Sequence, residues 1–297
     1  MVEFLNCENE IKLMLERSKT KVIFPIITYG LLSDFIQANK IVFSDQEIRM
    51  SYEKAIGFFK EYLGHDLHIG GRYYDAYPSR NLPKYGVIKV IGNKKYEIIE
   101  QYQQNAQKLI VDIPPLVKDY ITKKLGEIPL FSDATKRLSI SQNDALFKEV
   151  IKKHIDINPI NFEIFMFSIL KVHLEKFACK IYRDTRTSAH DKGVDLSTNF
   201  GVIYQIKKLK LTSENSAKDI YDEIQINFSD DRIKDGNVIL IIDDITKNVK
   251  SFLINMKIQT IEKGELLKLS ENFDIEDKMK VLKIVYDEFS REYKSVI

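Results

Sequence analysis

Cysteine is nearly absent from this chain: Cys7 and Cys179 are the only two in 297 residues. They lie far apart and have no companion Cys or His at metal-ligand spacing, which argues against a disulfide framework or a zinc site and leaves two free thiols in a reducing compartment. No apolar run approaches the roughly 18 residues that a membrane-spanning helix needs. Met1 to Thr20 interleaves Glu3, Glu8, Glu10, Lys12 and Glu16 with apolar residues, unlike a signal peptide, so a soluble cytoplasmic protein is expected. A charge excess is missing too. Lys and Arg total 45 against 43 Asp and Glu, a formal charge of +2, so any nucleic-acid surface must come from local segregation of charge. Internal repeats and low-complexity tracts are lacking. So is the Gly-x(4)-Gly-Lys-Ser/Thr loop, which disfavours NTP hydrolysis although Asp243 and Asp244 close a buried strand; capping of a helix over Thr246 to Leu253 is the simpler use for them.

What is present is a core-forming composition, 44% hydrophobic, long enough for one large domain or two ordinary ones. Apolar periodicity predicts helices over Asn9–Arg17, Ile26–Ala38 and Gln46–Leu63, the third opened by Ser44 or Asp45 and stopped by Gly64. From Gly64 to Gly86 the glycines and prolines interrupt a stretch rich in Tyr, Arg and Lys, read as a long loop. A short strand over Val87–Ile91, helices over Tyr96–Leu109 and Pro115–Leu125, and a polar linker over Phe131–Asn143 complete this half. Residues 1–130 are thus expected to form a mainly helical region.

Beyond Asp144 the element types alternate. A helix over Asn161–Phe177 is followed by strands at Cys179–Asp184, Val194–Thr198 and Val202–Lys208, a helix over Ser216–Gln225 and a buried strand, Val238–Asp243. Runs apolar on both faces, such as Val238-Ile239-Leu240-Ile241-Ile242, suit the middle of a mixed sheet covered by helices. Helices over Lys263–Leu269 and Ile275–Glu292 close the chain, so residues 144–297 read as an α/β domain with a mixed central sheet flanked by helices.

The chemistry concentrates between Val194 and Lys208. Asn199 and Gly201 tolerate the positive φ of a tight turn, and a hairpin symmetric about residue 200 sets Asp195 opposite Gln205, on one face. Lys207, two residues on, points the same way, while Leu196, Ile203 and Ile206 are expected on the core side. Phosphodiester hydrolysis needs a hard divalent cation to neutralise developing charge and to make hydroxide at neutral pH. Asp195 suits such an ion, the Gln205 amide and the Ile206 carbonyl supply further oxygens, and Lys207 can orient the attacking water or stabilise the charged phosphorus centre. A second carboxylate must come from elsewhere; Glu163, near the start of the preceding helix, is the best placed, its plainer use being a carboxylate favoured by the helix dipole.

Around this patch Arg183, Arg186, Lys208 and Lys210 form a basic cluster suited to phosphates, or simply a solvated face. The loop with Arg72, Tyr73, Tyr74, Tyr77, Arg80, Asn81 and Lys84 has the residue types that read base edges, Arg72 and Arg80 above all, or it is a packed Ω-loop with tyrosines in the core. His65 and His68 flank Asp66 without a third ligand and read as ordinary loop histidines.

Phe162-Glu163, Asp191-Lys192-Gly193-Val194-Asp195 and Tyr204-Gln205-Ile206-Lys207-Lys208 resemble the signatures of the PD-(D/E)XK nuclease superfamily in its Gln-x-Lys variant, as in Mrr-like nucleases, and the element order over Asn161–Asp243 matches that family's core. Lys21 to Ile26, Val202 to Lys208 and Val238 to Asp244 are similar to the HaeII restriction endonuclease family. The resemblance implies a Mg²⁺-dependent type II restriction endonuclease that cuts double-stranded DNA, works as a homodimer and is encoded near a cognate DNA methyltransferase. It assigns the N-terminal region to recognition and Asp195, Gln205, Lys207 and Glu163 to the site. The departure is Gln205, where most members carry a carboxylate. A modification-dependent or structure-dependent nuclease, or an inactive DNA-binding module, are the alternatives.

Overall fold

The computed structural model describes residues 2–17, 22–64, 67, 73–141, 144–183 and 194–294. The chain forms two compact units, Met1–Glu127 with Arg291–Ile297, and Ile128–Ser290. No helix among the described residues is long and apolar enough to cross a membrane.

The first unit begins with α1 (Val2–Arg17), α2 (Ile23–Ala38), the strand β1 (Val42–Ser44) and α3 (Asp45–Leu63). Ser44 and Glu47 close a capping box on α3, and Gly64, at φ +77°, ends it by returning its N–H to the Lys60 carbonyl. Gly30 lets α2 and α3 approach closely: a Cβ there would collide with the Ser51 carbonyl oxygen. The expected loop contains two short helices, α4 (Tyr73–Ala76) and α5 (Pro78–Asn81). Then come β2 (Ile88–Gly92), β3 (Lys95–Ile98), α6 (Glu100–Gln104) and the long α7 (Ala106–Ser141). The strands form an antiparallel sheet in the order β1-β3-β2, so Tyr96 to Ile98, read as helix from sequence, is the central strand.

The expected linker is also helix, because α7 continues through Phe131 to Ser141. Its polar composition conceals a buried stripe, Ile128, Phe131, Ala134 and Leu138, at helical spacing. Phe131 stacks edge-on against His154 and Phe165, and this burial holds the segment helical whatever its surface carries.

The second unit continues with α8 (Asp144–His154), α9 (Pro159–Glu175), β4 (Ile181–Arg183), β5 (Leu196–Thr198), β6 (Ile203–Leu211), α10 (Glu214–Asn227), α11 (Asp230–Lys234), β7 (Val238–Ile245), α12 (Lys247–Asn255), β8 (Gln259–Glu262), α13 (Lys263–Glu271) and α14 (Ile275–Lys294). The sheet is five-stranded and mixed, in the order β4-β5-β6-β7-β8, antiparallel up to β6 and parallel from β6 to β8. Ile203, Val238, Leu240 and Ile242 join Ile220 and Ile224 of α10 and Val249 and Leu253 of α12 in one apolar cluster. On the other face α9 packs on β6 and α13 on β7. That position explains why α9 is apolar nearly all round: Ile160 to Leu170 are buried without a break. Ile203 therefore sits on the face of Gln205 and Lys207, contrary to the sequence expectation, as a period of two demands. Asp243 and Asp244 do not cap α12 either. Asp243 pairs with Lys263, and Asp244 accepts the Ile245 N–H at 3.0 Å.

Candidate functional site

The β5–β6 hairpin pairs Leu196 with Tyr204 and Ser197 with Ile203, and Thr198 N–H bonds to the Val202 carbonyl at 2.9 Å. Gly201, at φ +83°, supplies the left-handed residue that a three-residue connection requires. Pairing symmetric about residue 200 extends to Asp195 and Gln205, but β5 begins only at Leu196. Because hydrogen-bonded pairs alternate, the Ile206 N–H would next bond to residue 194. Instead it donates to Asp195 Oδ2 at 2.6 Å. The carboxylate thus takes over the ladder where the strand stops, and by the same alternation the Ile206 carbonyl faces that side of β6.

Gln205 is fully buried. Its Nε2 donates to Glu223 Oε1 at 3.2 Å, and Lys207 Nζ donates to both Glu223 oxygens at 2.9 and 3.2 Å. A carboxylate accepts only, so the Gln205 amide must turn its nitrogen to Glu223 and its oxygen away. That Oε1 is buried and has no hydrogen-bond partner among the described residues. An unsatisfied buried acceptor costs on the order of 1–3 kcal/mol, which a bound cation would recover. Just past Lys207, β6 carries one residue more than β7, a bulge between Lys207 and Lys210 that re-aims the basic side chains after it. Lys208 is half-buried and Lys210 exposed.

Glu163 is buried on α9, and its Oε1 accepts from Arg183 Nε at 2.8 Å; Arg183 Nη1 reaches Glu288 Oε2 at 3.0 Å. Arg183, expected at phosphates, is thus enclosed between two carboxylates. Arg80 is exposed on α5. Arg72, Arg186, His65, Asp66, His68 and Asp191 to Gly193 lie outside the described residues. Burial raises the Tyr204 hydroxyl above its usual range, with Cys179 adding to the shift.

Glu223 and Glu288 escaped the sequence reading. Glu223 lies in the predicted helix, beside the apolar positions Ile220 and Ile224 that must face β6, and that adjacency was its one available signal. No group of three or more His, Cys, Asp or Glu side chains among the described residues could hold a metal, so an ion here would depend on amide and backbone oxygens as well.

Residues 138–268 match the family model of the HaeII restriction endonuclease. This match supports a type II restriction endonuclease, a site-specific deoxyribonuclease and hydrolase with DNA as substrate. The HaeII-like stretch is under half of the chain and contains β4 to β8, hence Asp195, Gln205, Lys207 and Glu223. Restriction endonucleases generally use a divalent metal. A search of curated proteins finds no match.

Proposed function

We propose that this chain cuts both strands of duplex DNA at a specific sequence with Mg²⁺, from a PD-(D/E)XK core formed by α9 and β4 to β7. The observation that carries the reading is the Gln205 Oε1, buried without a partner among the described residues on the same strand face as Lys207, with the Asp195 carboxylate held on the N–H of the next residue, Ile206. Mg²⁺ binds through one or two carboxylates with other oxygens and waters. Asp195, Gln205 Oε1 and the Ile206 carbonyl would hold it, with Glu223 supplying the second carboxylate, and the bound ion would provide charge neutralisation and hydroxide at neutral pH.

The chain's own groups complete the chemistry. Lys207 stabilises the charge that grows on the phosphate oxygens in the transition state. In the free protein Glu223 holds it, so arriving DNA exchanges a carboxylate for a phosphate oxygen on Lys207 Nζ. Glu163, engaged by Arg183, acts as a positioning residue for this end of α9. Lys208 and Lys210 follow the bulge toward the backbone of the substrate. Residues 1–130 supply sequence recognition, with Arg80 and Arg72 at base edges. A palindromic site implies a homodimer, and restriction of foreign DNA implies a methyltransferase encoded nearby.

The test is digestion of methylated and unmethylated plasmids with Mg²⁺ or with EDTA, followed by sequencing of the ends. Discrete Mg²⁺-dependent fragments sharing one sequence are expected from unmethylated DNA. Cutting only of methylated DNA, or ends without a common sequence, would transfer the same chemistry to a modification- or structure-dependent nuclease; no cutting at all would leave a binding module.

A further inference from the structure

β2 is an outer strand of the first unit's sheet, and only its first residue is anchored: Ile88 is buried opposite Ile98, and every residue from Lys89 to Lys95 is exposed. Val90 pairs with Tyr96 and so shares a face with Tyr96 and Phe43, both buried, yet it is 62% exposed itself. The ribbon therefore runs past the core that its own face helps to build. Ile91, 45% exposed, is the extra residue of a bulge between Val90 and Gly92, and Lys94 turns the chain at φ +53°.

Charge decides what this projection suits. Lys89, Lys94 and Lys95 stand in it with no acidic residue between Ile88 and Tyr96. Glu97 takes Lys89 at 2.9 Å, while Lys94 and Lys95 make no ion pair among the described residues. An outer strand showing two β-branched apolar side chains invites pairing with another strand. A second copy of the chain, however, would bring four uncompensated lysines together, whereas a polyanion would neutralise them. β1 ends beside Lys95, so past that pair β2 and β3 project alone, at the two-stranded width that the major groove admits, where apolar side chains meet thymine methyl groups.

We infer that the β2–β3 ribbon enters the major groove of duplex DNA, with Lys94 and Lys95 on flanking phosphates and Val90 and Ile91 against base edges. This rests on the nuclease reading. The experiment uses the full chain with Ca²⁺ in place of Mg²⁺ and a fluorescently labelled duplex carrying the mapped cut site, titrated by anisotropy at several salt concentrations. Lys94→Ala with Lys95→Ala should make the slope of log affinity against log salt shallower by about 2, since each lost phosphate contact removes roughly 0.9. Val90→Thr with Ile91→Thr, which keeps strand propensity, should weaken binding about tenfold at every salt with the slope unchanged, as loss of one good base contact would. Wild-type binding by either pair, in an enzyme that still cuts plasmid, overturns the inference alone. Unchanged DNA binding with a lowered mass by light scattering for the Thr pair would assign the ribbon to a second copy and overturn it too. A wild-type chain that neither cuts nor binds any duplex would instead remove the nuclease reading beneath it.

Discussion

Arg183→Leu should destabilise the protein more than any change at its two partners. The guanidinium, 3% exposed, bridges Glu163, 7% exposed, at 2.8 Å and Glu288 at 3.0 Å. Two carboxylates thus share one cation in a nearly dry setting. Removing the cation takes the guanidinium away from two like charges held close together, and breaking a buried pair this way costs about 3–5 kcal/mol. Glu163→Gln is milder, since the amide oxygen still accepts from Nε and Glu288 still balances the charge. It forfeits only the difference between a charged and a neutral hydrogen bond, about 1 kcal/mol. Urea unfolding followed by circular dichroism measures both, provided the m-value is unchanged. Because a carboxylate deprived of this guanidinium can relieve itself by taking up a proton, the Arg183→Leu deficit should narrow as pH falls. An Arg183→Leu protein as stable as wild type, or less affected than Glu163→Gln, would refute the reasoning. Glu163→Gln with normal stability and a raised Mg²⁺ requirement would return Glu163 to the metal.

Asp195→Ala and Lys207→Ala should each abolish cleavage with duplex affinity and fold largely intact, because both act chiefly on transition-state charge; wild-type turnover by either would withdraw the site. Glu223→Gln should lower kcat and raise the Mg²⁺ concentration needed for half-maximal rate, which a metal titration reads directly. Gly30→Ala should cost about 1–3 kcal/mol in urea unfolding, since its methyl group meets Ser51 backbone that cannot yield as a side chain would. The Lys40 ammonium and the Ser44 N–H and hydroxyl hold the Glu47 carboxyl down at about 2. Its folded value lies below the ordinary one, so its stabilisation is complete above about pH 4.5 and fades as pH falls toward 2; the stability gap between wild type and Glu47→Gln should close over that window.

The local periods of the sequence carried the hairpin. A strand period of two, with Gly201 able to take positive φ, sets Asp195 opposite Gln205 and puts Lys207 beside it before any tertiary contact forms. The helical period also marks α10, while α9 and β7 show as unbroken apolar runs told apart by their length and by the β-branched residues of β7. Short strands such as β1, β3 and β8 gave too few residues for a period to show. Polar composition hid the last turns of α7, since only packing reveals that Phe131 and Leu138 share a buried stripe with Ile128. The partners of the charged groups were decided by the tertiary structure alone. Nothing within a few residues of Arg183 foretells that it closes on Glu163 and Glu288, 20 and 105 positions away. Glu223 reaches Lys207 across 16 positions because α10 must lay Ile220 and Ile224 on the sheet. Sequence period dictates which residues share a face of one element, but which faces meet follows from how the apolar stripes of all the elements are buried together.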